Sequence, residues 1–384
     1  MNVLFISHCD FPNNSALHIF SIARNLAEEG LDCIVCVPGG EPALASVARF
    51  SVVSYGLGYS GRILFPDGRG PDLIHAWTPR ERVRKLTFHL LASKPCKYVL
   101  HLEDNEEFIL DTEMGALASH HLRRLPEELM DATAVPDHLS HPLRSRKFLA
   151  GASGLTAIVD RLLEFKPAST PGIVLWPGFD PEFLSASAAS RDQCRQMGIS
   201  DDESVLVYSG NIHSSNAAEV RSLFWAVQAL RRAGRRVVLL KTGSQYVSAD
   251  WITDATRAGA VLDLGFIPRE ALYSIMQRAN ILVQPGRIGP FNDYRFPSKL
   301  PEFFASGKPV ILPRTNVGLA VRDGVEALLL QSGDAIEIAQ KIEILLDNPG
   351  LAARLGAAGR EFAIRRLSWS KNVPALKEFY ASLQ

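Results

Sequence analysis

Short apolar runs alternate with longer amphipathic segments along almost the whole chain. Runs such as Val3–Ser7 and Cys33–Val37 are typical of buried strands, whereas Leu17–Glu29 carries its apolar residues at helical spacing. This alternation predicts an α/β fold, with mostly parallel sheets and helices on both faces. The first half also predicts the strands Leu73–Ala76, Tyr98–Leu102, Leu155–Ile158 and Ile173–Leu175, and helices near Glu81–Ala92 and Pro142–Ala150.

The second half repeats this scheme, so the sequence predicts two similar domains. It predicts the strands Val205–Ser209, Arg236–Thr242, Val261–Leu264, Ile281–Gln284, Pro309–Leu312 and Ala327–Leu330, and helices near Ala217–Ala233, Arg269–Gln277, Lys299–Ser306 and Asp334–Leu346. The loop Pro177–Asp192, rich in Pro, Ser and Ala, is the expected boundary between domains 1–180 and 181–367. A helical insertion is expected from Asp111 to Leu139. Two such domains facing each other form a cleft, and open sheets bind ligands beyond the carboxyl ends of their strands.

Net charge, the length of the apolar runs and the number of Cys exclude several classes of protein. The 384 residues include 41 Lys and Arg against 41 Asp and Glu, so the net charge is zero and no nucleic-acid partner is expected. No apolar run approaches the roughly 20 residues that span a bilayer, and no basic leader precedes the first strand, so we expect a cytoplasmic protein. Five Cys, an odd number, argue against a disulfide framework. Cys33 and Cys36 have the spacing of redox and zinc sites, but their place inside a strand favours core packing.

The segment 294–311 carries the strongest functional signal. A turn at residues 296–298 is expected to open a short helix. Ser298 and Lys299 would lie at the N-terminus of that helix, where free N–H groups and a full positive charge attract anions. Glu302 falls on the same face one turn later, where its carboxylate can accept from two ribose hydroxyls. The pattern indicates a nucleotide-diphosphate site, and a capped surface helix with a Lys–Glu pair is the alternative.

The same segment resembles the donor-nucleotide motif of the GT-B glycosyltransferases, in particular of family four, the "group 1" family. The resembling order is Pro-Ser-Lys-Leu-Pro-Glu-Phe-Phe-Ala-Ser-Gly-Lys-Pro-Val, starting at Pro297. Further segments are similar to the family in the same order along nearly the whole chain. They are the strand Met1–His8, the helix His18–Gly30, the hinge Trp176–Asp180, the strand and turn Val207–Asn211, the segment Leu264–Pro268 and the pair Ser368–Trp369.

The resemblance implies a GT-B fold, in which two Rossmann-like domains with parallel sheets face each other across a cleft that holds the active site. It implies that the final helix, expected at 368–384, packs back on the first domain. The family moves a hexosyl group from a nucleotide-diphosphate sugar to an acceptor hydroxyl with retention of configuration. GT-B enzymes generally work without a bound metal, and no Asp-x-Asp cluster stands out, so no metal and no cofactor beside the donor substrate are expected.

His101 is the candidate catalytic residue. It ends a predicted strand and leads into an acidic stretch, Glu103–Glu107. The resemblance implies that a His at this point contacts the donor sugar near the reacting carbon, and a solvent-facing His in an acidic loop is the alternative. His75 has a similar strand-end position and ranks second, as a wall of the cleft. His8 and His18 are assigned structural roles.

The chain departs from the family pattern in the two turns expected at the donor phosphates. Asn13 and Asn14 stand where the family has two glycines, and Asn tolerates positive φ better than most residues. Gly210 and Asn211 open a turn that lacks the family's Arg and Lys. Asn211, Ser214 and Asn216 can still donate neutral hydrogen bonds there.

The missing cations must be replaced if the chain binds a pyrophosphate. Arg295 and Lys299 are the expected replacements, since both flank the nucleotide motif. The family often has another Glu, separated by seven residues from the one that Glu302 matches and therefore eight positions before it. Here Tyr294 stands eight positions before Glu302 and Asp293 is out of register, so the carboxylate nearest the donor sugar is absent or shifted.

The helix predicted at 81–91 permits two interpretations. Its cations are Arg80, Arg82, Arg84 and Lys85, and its apolar residues are Val83, Leu86, Leu90 and Leu91. It either rests on an anionic membrane and presents the first domain to a lipid-linked acceptor, or packs its apolar side on the sheet as a solvated helix. The second interpretation is favoured.

The whole sequence predicts a retaining glycosyltransferase of polysaccharide or glycolipid assembly. Its partners would be a nucleotide sugar and a glycan or lipid-linked acceptor, with a peripheral contact at the inner face of the membrane kept open. Two other functions remain open. A sugar-nucleotide epimerase would use the same fold with carboxylates such as those at 103–107, and a non-catalytic GT-B subunit bound to a partner transferase would fit the missing Arg, Lys and Glu. The donor base and sugar, the acceptor and the oligomeric state are not readable from the sequence.

Overall fold

The computed structural model describes residues 1–11, 13–39, 50–185 and 188–383. Two compact units make up the chain. The first unit consists of Met1–Pro177, Tyr294–Phe296 and Trp369–Gln384, and the second of Gly178–Asp293 and Pro297–Ser368. The predicted boundary loop Pro177–Asp192 includes residues 186–187, which lie outside the described residues.

The first unit is built on a parallel sheet of seven strands. The strands are β1 (Asn2–Ile6), β2 (Asp32–Val37), β3 (Ser51–Ser54), β4 (Leu73–Trp77), β5 (Lys97–Leu102), β6 (Gly154–Ala157) and β7 (Gly172–Val174). They lie in the order β3-β2-β1-β4-β5-β6-β7, so the direction of winding changes between β1 and β4. The helices are α1 (Asn14–Glu28), α2 (Tyr55–Tyr59), α3 (Glu81–Ser93), α4 (Glu106–Met114), α5 (Ala116–Arg124) and α6 (Pro142–Ala150).

The second unit has a parallel sheet of six strands. The strands are β8 (Ser204–Ser209), β9 (Val237–Thr242), β10 (Val261–Asp263), β11 (Ile281–Val283), β12 (Val310–Pro313) and β13 (Leu328–Leu330). Their order is β10-β9-β8-β11-β12-β13, with the change of winding between β8 and β11. The helices are α7 (Arg191–Gln196), α8 (Ala217–Arg232), α9 (Asp250–Arg257), α10 (Arg269–Arg278), α11 (Leu300–Ala305), α12 (Ala335–Asp347) and α13 (Pro349–Arg366).

A last helix, α14 (Trp369–Ser382), returns to the first unit and packs against α1. Its buried side chains join those of β1, β2 and β4 in one hydrophobic cluster, and they are Trp369, Val373, Leu376, Phe379 and Tyr380. The side chain of Asn372 donates a hydrogen bond to the Trp176 carbonyl at 2.6 Å, which fixes the point where the helix begins. The helix therefore completes the core on one face of the first sheet.

The predicted fold class is confirmed, since each unit is a parallel sheet covered by helices. The prediction missed β3, α2, α7, α9 and α13. The expected insertion is formed by α4, α5 and a 3-10 helix at Glu127–Ala132, around a small cluster of its own. Among the helices of the described residues, none is both long enough and apolar enough to cross a membrane.

Candidate functional site

The carboxyl edge of the first sheet gathers a set of polar side chains around its change of winding. Such a crevice is where open α/β sheets bind ligands. His8 follows β1, Trp77 ends β4, and His101 and Glu103 lie at the end of β5. Because Trp77 pairs with His101 across neighbouring parallel strands, their side chains lie side by side.

His101 is buried within β5, with 1% of its surface exposed, so the solvent-facing interpretation is wrong. Its ring stacks on Trp77 with 3.8 Å between the ring centroids. Its Nδ1 atom lies 2.8 Å from the Thr156 hydroxyl, and its Nε2 atom is buried without a hydrogen-bond partner among the described residues. Burial disfavours the charged ring and lowers the pKa of His101 to about 3, so the ring is neutral at physiological pH.

His75 lies in the interior of the first unit and forms no cleft wall, so that prediction is wrong. The residue is fully buried on β4, because the strand is covered on both faces. Its Nδ1 lies 2.6 Å from the hydroxyl of Tyr380 on α14, and its Nε2 lies 3.0 Å from the Thr156 hydroxyl. Burial holds the pKa of His75 well below its ordinary value.

Glu103 is a buried carboxylate surrounded by hydrogen-bond donors. Trp77 Nε1 donates to it at 3.1 Å, the hydroxyl of Ser15 donates to the same oxygen, and His18 Nδ1 lies 3.3 Å from the other. Burial opposes ionisation, but the hydrogen bonds, that of His18 first, hold the pKa of Glu103 well below its ordinary value. Glu103 therefore stays ionised, and sequence reasoning had noted it only as one of an acidic run.

His8 extends the same cluster toward α3. Its Nε2 lies 3.0 Å from the Ser15 hydroxyl, and a guanidinium nitrogen of Arg80 lies 3.0 Å from its Nδ1. Burial and the nearby Arg80 oppose a charged ring, but hydrogen bonds to Cys9 and Glu103 outweigh them and raise the pKa of His8 to about 9. His8 and His18 are thus parts of the Glu103 cluster.

The cations of α3 are engaged within the first unit. Arg80 pairs with Glu106 at 3.1 Å, Arg84 with the buried Glu81 at 2.8 Å, and Lys85 with Asp137 at 2.6 Å. Arg82 donates to the His8 carbonyl at 3.3 Å. The apolar residues Val83, Leu86 and Leu90 are buried, as in a solvated helix packed on a sheet. These contacts favour that interpretation over the membrane-bound one.

Asn13 and Asn14 form the start of α1, and the turn uses no left-handed backbone at Asn13. Asn13 is the residue before the helix, with φ −64° and ψ 151°, and its amide donates to the Asp10 carbonyl at 2.8 Å. Asn14 is the first helical residue, and both side chains are exposed. Asn13 therefore has a negative φ, and the turn does not depend on the tolerance of Asn for positive φ. Pro12 in the same turn lies outside the described residues.

In the second unit, Lys299 reaches the change of winding between β8 and β11. Its amine donates to Gln284, just after β11, at 3.0 Å, and lies 4.6 Å from the centre of the Tyr208 ring on β8. A Cβ atom built on Gly210 would lie only 2.6 Å from this amine. Gly243, which follows the neighbouring β9, has φ +92° and an equally close approach, because a Cβ there would lie 2.8 Å from the Gly210 carbonyl carbon. The two glycines therefore leave room above the strand ends, and the Lys299 amine brings a positive charge into that space.

The helix after Lys299 is shorter than predicted. It spans Leu300–Ala305, with Lys299 as the preceding residue and no side-chain cap. Ser298 lies in the turn before it. With six residues this helix contributes little dipole, so the charge of Lys299 is the main electrostatic feature of the segment.

Glu302 is held by an arginine that the sequence did not reveal. Arg269, the first residue of α10, donates to the Glu302 carboxylate at 3.0 Å and to Asp180 at 2.7 Å. The Glu302 side chain keeps 14% of its surface exposed, whereas the Arg269 side chain keeps 42%. The ion pair fixes the direction of the Glu302 carboxylate.

Asn211 and Asn216 shape the turn after β8. The Asn211 side-chain oxygen accepts from the Ser244 N–H at 2.8 Å, so it ties this turn to the one after β9. The Asn216 amide donates to the Asn211 carbonyl at 2.9 Å and its oxygen accepts from the His213 N–H. The side chain of Asn216 is buried and bonded within the turn, and a hydrogen bond from it to a phosphate stays a prediction.

Tyr294 and Arg295 belong to the first unit, whereas Asp293 and Lys299 belong to the second. The hydroxyl of Tyr294 donates to Glu164, and the Arg161 guanidinium lies 5.2 Å from the centre of its ring. Asp293 accepts from the Thr315 hydroxyl at 2.6 Å. The residue in place of the family's first Glu is therefore part of a packed contact in the first unit.

Within the described parts of the chain, no group of three or more His, Cys, Asp or Glu side chains has the arrangement to hold a metal ion. Cys33 and Cys36 are buried free thiols, and burial raises the pKa of each to about 12. They stay protonated, as core residues do.

Part of the chain matches a known family. Residues 203–348, which include Gly210, Lys299 and Glu302, match the family model of the Glycosyl transferases group 1. The D-inositol 3-phosphate glycosyltransferase of Thermobifida fusca is 25% identical over 252 residues, which are 60% of this chain and 57% of that protein. An uncharacterized glycosyltransferase of Methanocaldococcus jannaschii is 32% identical over 111 residues, 29% of this chain and 30% of that protein. The chain thus spans about half the length of the first relative and under a third of the second.

Solved structures of other proteins superpose on this fold. HepE of Anabaena, in complex with UDP and glucose, superposes with a TM-score of 0.71 over 100% of both chains at 16% identity. The sucrose-phosphate synthase of Thermosynechococcus elongatus gives a TM-score of 0.69 over 100% of this chain and 99% of its own, also at 16% identity. At such identities the likeness establishes the GT-B fold.

Proposed function

Since residues 203–348 match the family model of the group 1 glycosyl transferases and the chain has the GT-B fold, we propose that the protein moves a hexosyl group from a nucleotide-diphosphate sugar to an acceptor hydroxyl. The observation that carries the proposal is the position of Lys299. Its amine lies over Gly210 at the change of winding of the second sheet, where open α/β sheets bind nucleotides. A fixed positive charge there is suited to a pyrophosphate.

The donor nucleotide would be held at two points of the second unit. Lys299 would bind the pyrophosphate, and the Glu302 carboxylate, oriented by Arg269, would accept from the ribose hydroxyls. The turns at Gly210 and Asn211 would contribute neutral N–H donors. Ser298 would lie beside Lys299. HepE was solved with UDP and glucose, which makes uridine donors the first to test.

The chemistry would rest on electrostatic stabilisation of the leaving diphosphate by Lys299. With no positioned carboxylate nucleophile assigned, retention would follow from attack on the same face, and the leaving phosphate oxygen would take the acceptor proton. His101 would position the sugar instead of acting as the base, since its neutral ring has its Nδ1 engaged with Thr156. Arg295, Asn13 and Asn14 would contribute donor contacts from the first unit. The reaction would need no bound metal.

The acceptor would be a glycan or a lipid-linked glycan in polysaccharide or glycolipid assembly, and the enzyme would work in the cytoplasm. The membrane contact through α3 loses support, because Arg80, Arg84 and Lys85 are paired with carboxylates. Any peripheral contact would then use another surface.

The epimerase function would need catalytic carboxylates at 103–107. Glu103 is held by Ser15 and Trp77, Glu106 by Arg80, and Glu107 lies 3.6 Å from Arg123. Burial raises the pKa of Asp104 to about 6, so this carboxyl keeps the epimerase function open as an alternative. The non-catalytic subunit also remains a competing function, because the family's cations are absent from the turn at Gly210.

A two-step experiment tests the proposal. A thermal-shift screen with UDP-, GDP-, ADP- and dTDP-sugars identifies the donor, because a ligand that binds only the folded state raises the apparent stability. Product analysis with that donor then separates the functions. Free nucleoside diphosphate plus a glycoside supports the proposal, an isomerised nucleotide sugar indicates an epimerase, and stabilisation without turnover across an acceptor panel indicates a binding subunit.

A further inference from the structure

A row of four polar side chains runs through the interior of the first unit and ends at His101. The Tyr380 hydroxyl lies 2.6 Å from His75 Nδ1, His75 Nε2 lies 3.0 Å from the Thr156 hydroxyl, and that hydroxyl lies 2.8 Å from His101 Nδ1. All four residues are at most 1% exposed. The row crosses three neighbouring strands and α14, because His101 pairs with Thr156 in the parallel register and α14 packs over the same face.

The row has three hydrogen bonds but four protons to place. Each hydroxyl carries one proton, and each neutral imidazole carries one N–H. Both rings are neutral, because burial depresses the pKa of His75 and of His101. Each bond uses one proton, so one proton is left without a partner inside the row.

The position of the spare proton decides the tautomer of His101. If Tyr380 donates to His75, His75 to Thr156, and Thr156 to His101, every hydroxyl proton is bonded and the spare proton lies on His101 Nε2. If the direction is reversed, the Tyr380 proton is buried unbonded and the Nε2 lone pair is unbonded as well. If both rings donate to Thr156, the Thr156 proton and the Nε2 lone pair are unbonded. Each unbonded buried group is costly, so the first arrangement, with a single unbonded group, is the most stable.

We infer that Tyr380, His75 and Thr156 hold His101 in the neutral Nε2–H tautomer, so that the ring offers an N–H donor, and no lone pair, at the nitrogen that the row leaves unbonded. That an oxygen of the transferred sugar accepts from this N–H rests on the proposed function and requires the buried Nε2 to become accessible when the donor binds, whereas the tautomer rests on the row alone. Tyr380, His75 and Thr156 are positioning residues, because they act on a ligand only through His101. An Nε2 that carries the proton has no lone pair to act as a general base.

The tautomer is measured directly by NMR on the ligand-free, full-length protein with 15N-labelled histidine. The chain has ten His, and loss of one signal in His101→Gln assigns the ring of His101. Long-range proton–nitrogen correlations then distinguish a protonated Nε2 from a protonated Nδ1. The expected result is protonated Nε2 and unprotonated Nδ1. A proton on Nδ1 would overturn the inference.

Variants of Thr156 test whether the row sets the tautomer. Thr156→Val removes the hydroxyl at nearly constant volume and should give a mixture of both His101 tautomers, whereas Thr156→Ser keeps the hydroxyl and should restore the single form. An unchanged His101 spectrum in Thr156→Val would show that the row does not act. Tyr380→Phe should shift the His75 signal. Tyr98→Phe is its matched control, because Tyr98 is also buried, donates to the Phe148 carbonyl at 2.6 Å and should leave both signals unchanged.

Activity separates this inference from the proposed function. Once a donor is known, Thr156→Val should lower kcat roughly tenfold, about the effect of one net hydrogen bond, with KM for the donor nearly unchanged. Thr156→Ser should recover most of the rate. The Nε2–H tautomer in a protein that transfers no sugar would refute the proposed function and leave the row intact. A normal rate in Thr156→Val with a mixed tautomer would refute the role of the Nε2–H in transfer.

Discussion

The amine of Lys299 lies so close to Gly210 that a single methyl group at position 210 would be 2.6 Å from it. The two residues are 89 positions apart, and the contact forms because β8 and β11 are neighbours in the second sheet. The absence of a side chain at 210 thus allows the charge of Lys299 to lie over the strand ends.

Gly210→Ala should displace the Lys299 amine and weaken nucleoside diphosphate binding, with the stability of the fold nearly intact. The methyl group meets the end of the flexible Lys299 side chain and, at 3.1 Å, the Tyr208 hydroxyl, which has to shift only slightly, so we expect a stability loss within about 1 kcal/mol. Calorimetric titration with UDP and chemical denaturation measure the two effects. Gly243→Ala is the contrast, because its methyl group would meet backbone at φ +92° and should destabilise the fold by about 1–3 kcal/mol. Unchanged UDP affinity in Gly210→Ala would show that the Lys299 amine is not at the pyrophosphate.

Lys299→Ala should strongly weaken the binding of UDP and leave that of uridine nearly unchanged, because only UDP carries the charge. The difference between wild type and variant should shrink at high salt, since a partly exposed charge contact is screened. Lys341→Ala, on α12, is the control for a general loss of positive charge. Equal weakening of uridine and UDP would exclude Lys299 from the pyrophosphate site. We expect Arg295→Ala to act in the same direction, though Arg295 belongs to the first unit.

Glu302→Gln should weaken UDP binding by roughly 1.5–3 kcal/mol, the range for hydrogen bonds to charged groups. Folding should persist, because Arg269 keeps its ion pair with Asp180 at 2.7 Å. The decisive ligand is the 2′,3′-dideoxy nucleotide. If Glu302 accepts from the ribose hydroxyls, wild type and variant should bind this ligand equally. A difference that persists with the dideoxy ligand would place the role of Glu302 elsewhere.

His101→Ala should lower kcat more than donor affinity, because a positioning contact matters most in the transition state. His101→Gln retains an N–H donor and should recover part of the rate. The exposed His120, changed to Ala, is the control for the loss of a histidine. Wild-type turnover in His101→Ala would return His101 to a structural role.

Acid should destabilise the first unit through its buried neutral histidines. The pKa of His101 is lowered to about 3 in the folded state, whereas the unfolded chain takes up the proton near pH 6.5. Stability from this group is therefore present above pH 6.5 and is lost as the pH falls toward 3. When the pH falls from 6.5 to 5, the free energy of unfolding of wild type should drop further than that of His101→Gln. The difference between the two drops should be on the order of 1–2 kcal/mol. Denaturant titrations at several pH values measure this, with His120→Gln expected to follow the wild type. Parallel curves for His101→Gln and wild type would contradict the depressed pKa.

Much of the fold was predictable because its strands are continuous apolar runs between turn signals. Helix α13 escaped prediction, since Gly350, Gly356 and Gly359 obscure its period. The glycines have a packing reason, because a Cβ on Gly356 would lie 2.0 Å from the Gly307 carbonyl oxygen. A close helix approach of this kind depends on the tertiary fold and leaves no periodic signal in the sequence.

Candidate site residues could be named from the sequence only at strand ends and in motifs. His101 was named from a strand end and Lys299 from a motif, and their roles stay predictions. Arg269 was missed, because its contact with Glu302 joins residues 33 positions apart. Tyr380 was missed too, since its contact with His75 spans 305 positions. Such contacts are set by strand order and by the path of α14, and no local pattern encodes either.

The return of α14 to the first unit sets the order in which the protein can finish folding during its synthesis. Domains generally fold as units, the N-terminal one first. Here the first 177 residues are translated before the second unit, yet part of their hydrophobic core follows that unit at 369–382. The N-terminal unit is therefore the last to be completed. Until the ribosome has made α14, the receiving face of the sheet lacks its cover and His75 lacks the hydroxyl of Tyr380. A chain arrested before residue 369 would contain the whole second unit and a first unit with its core open.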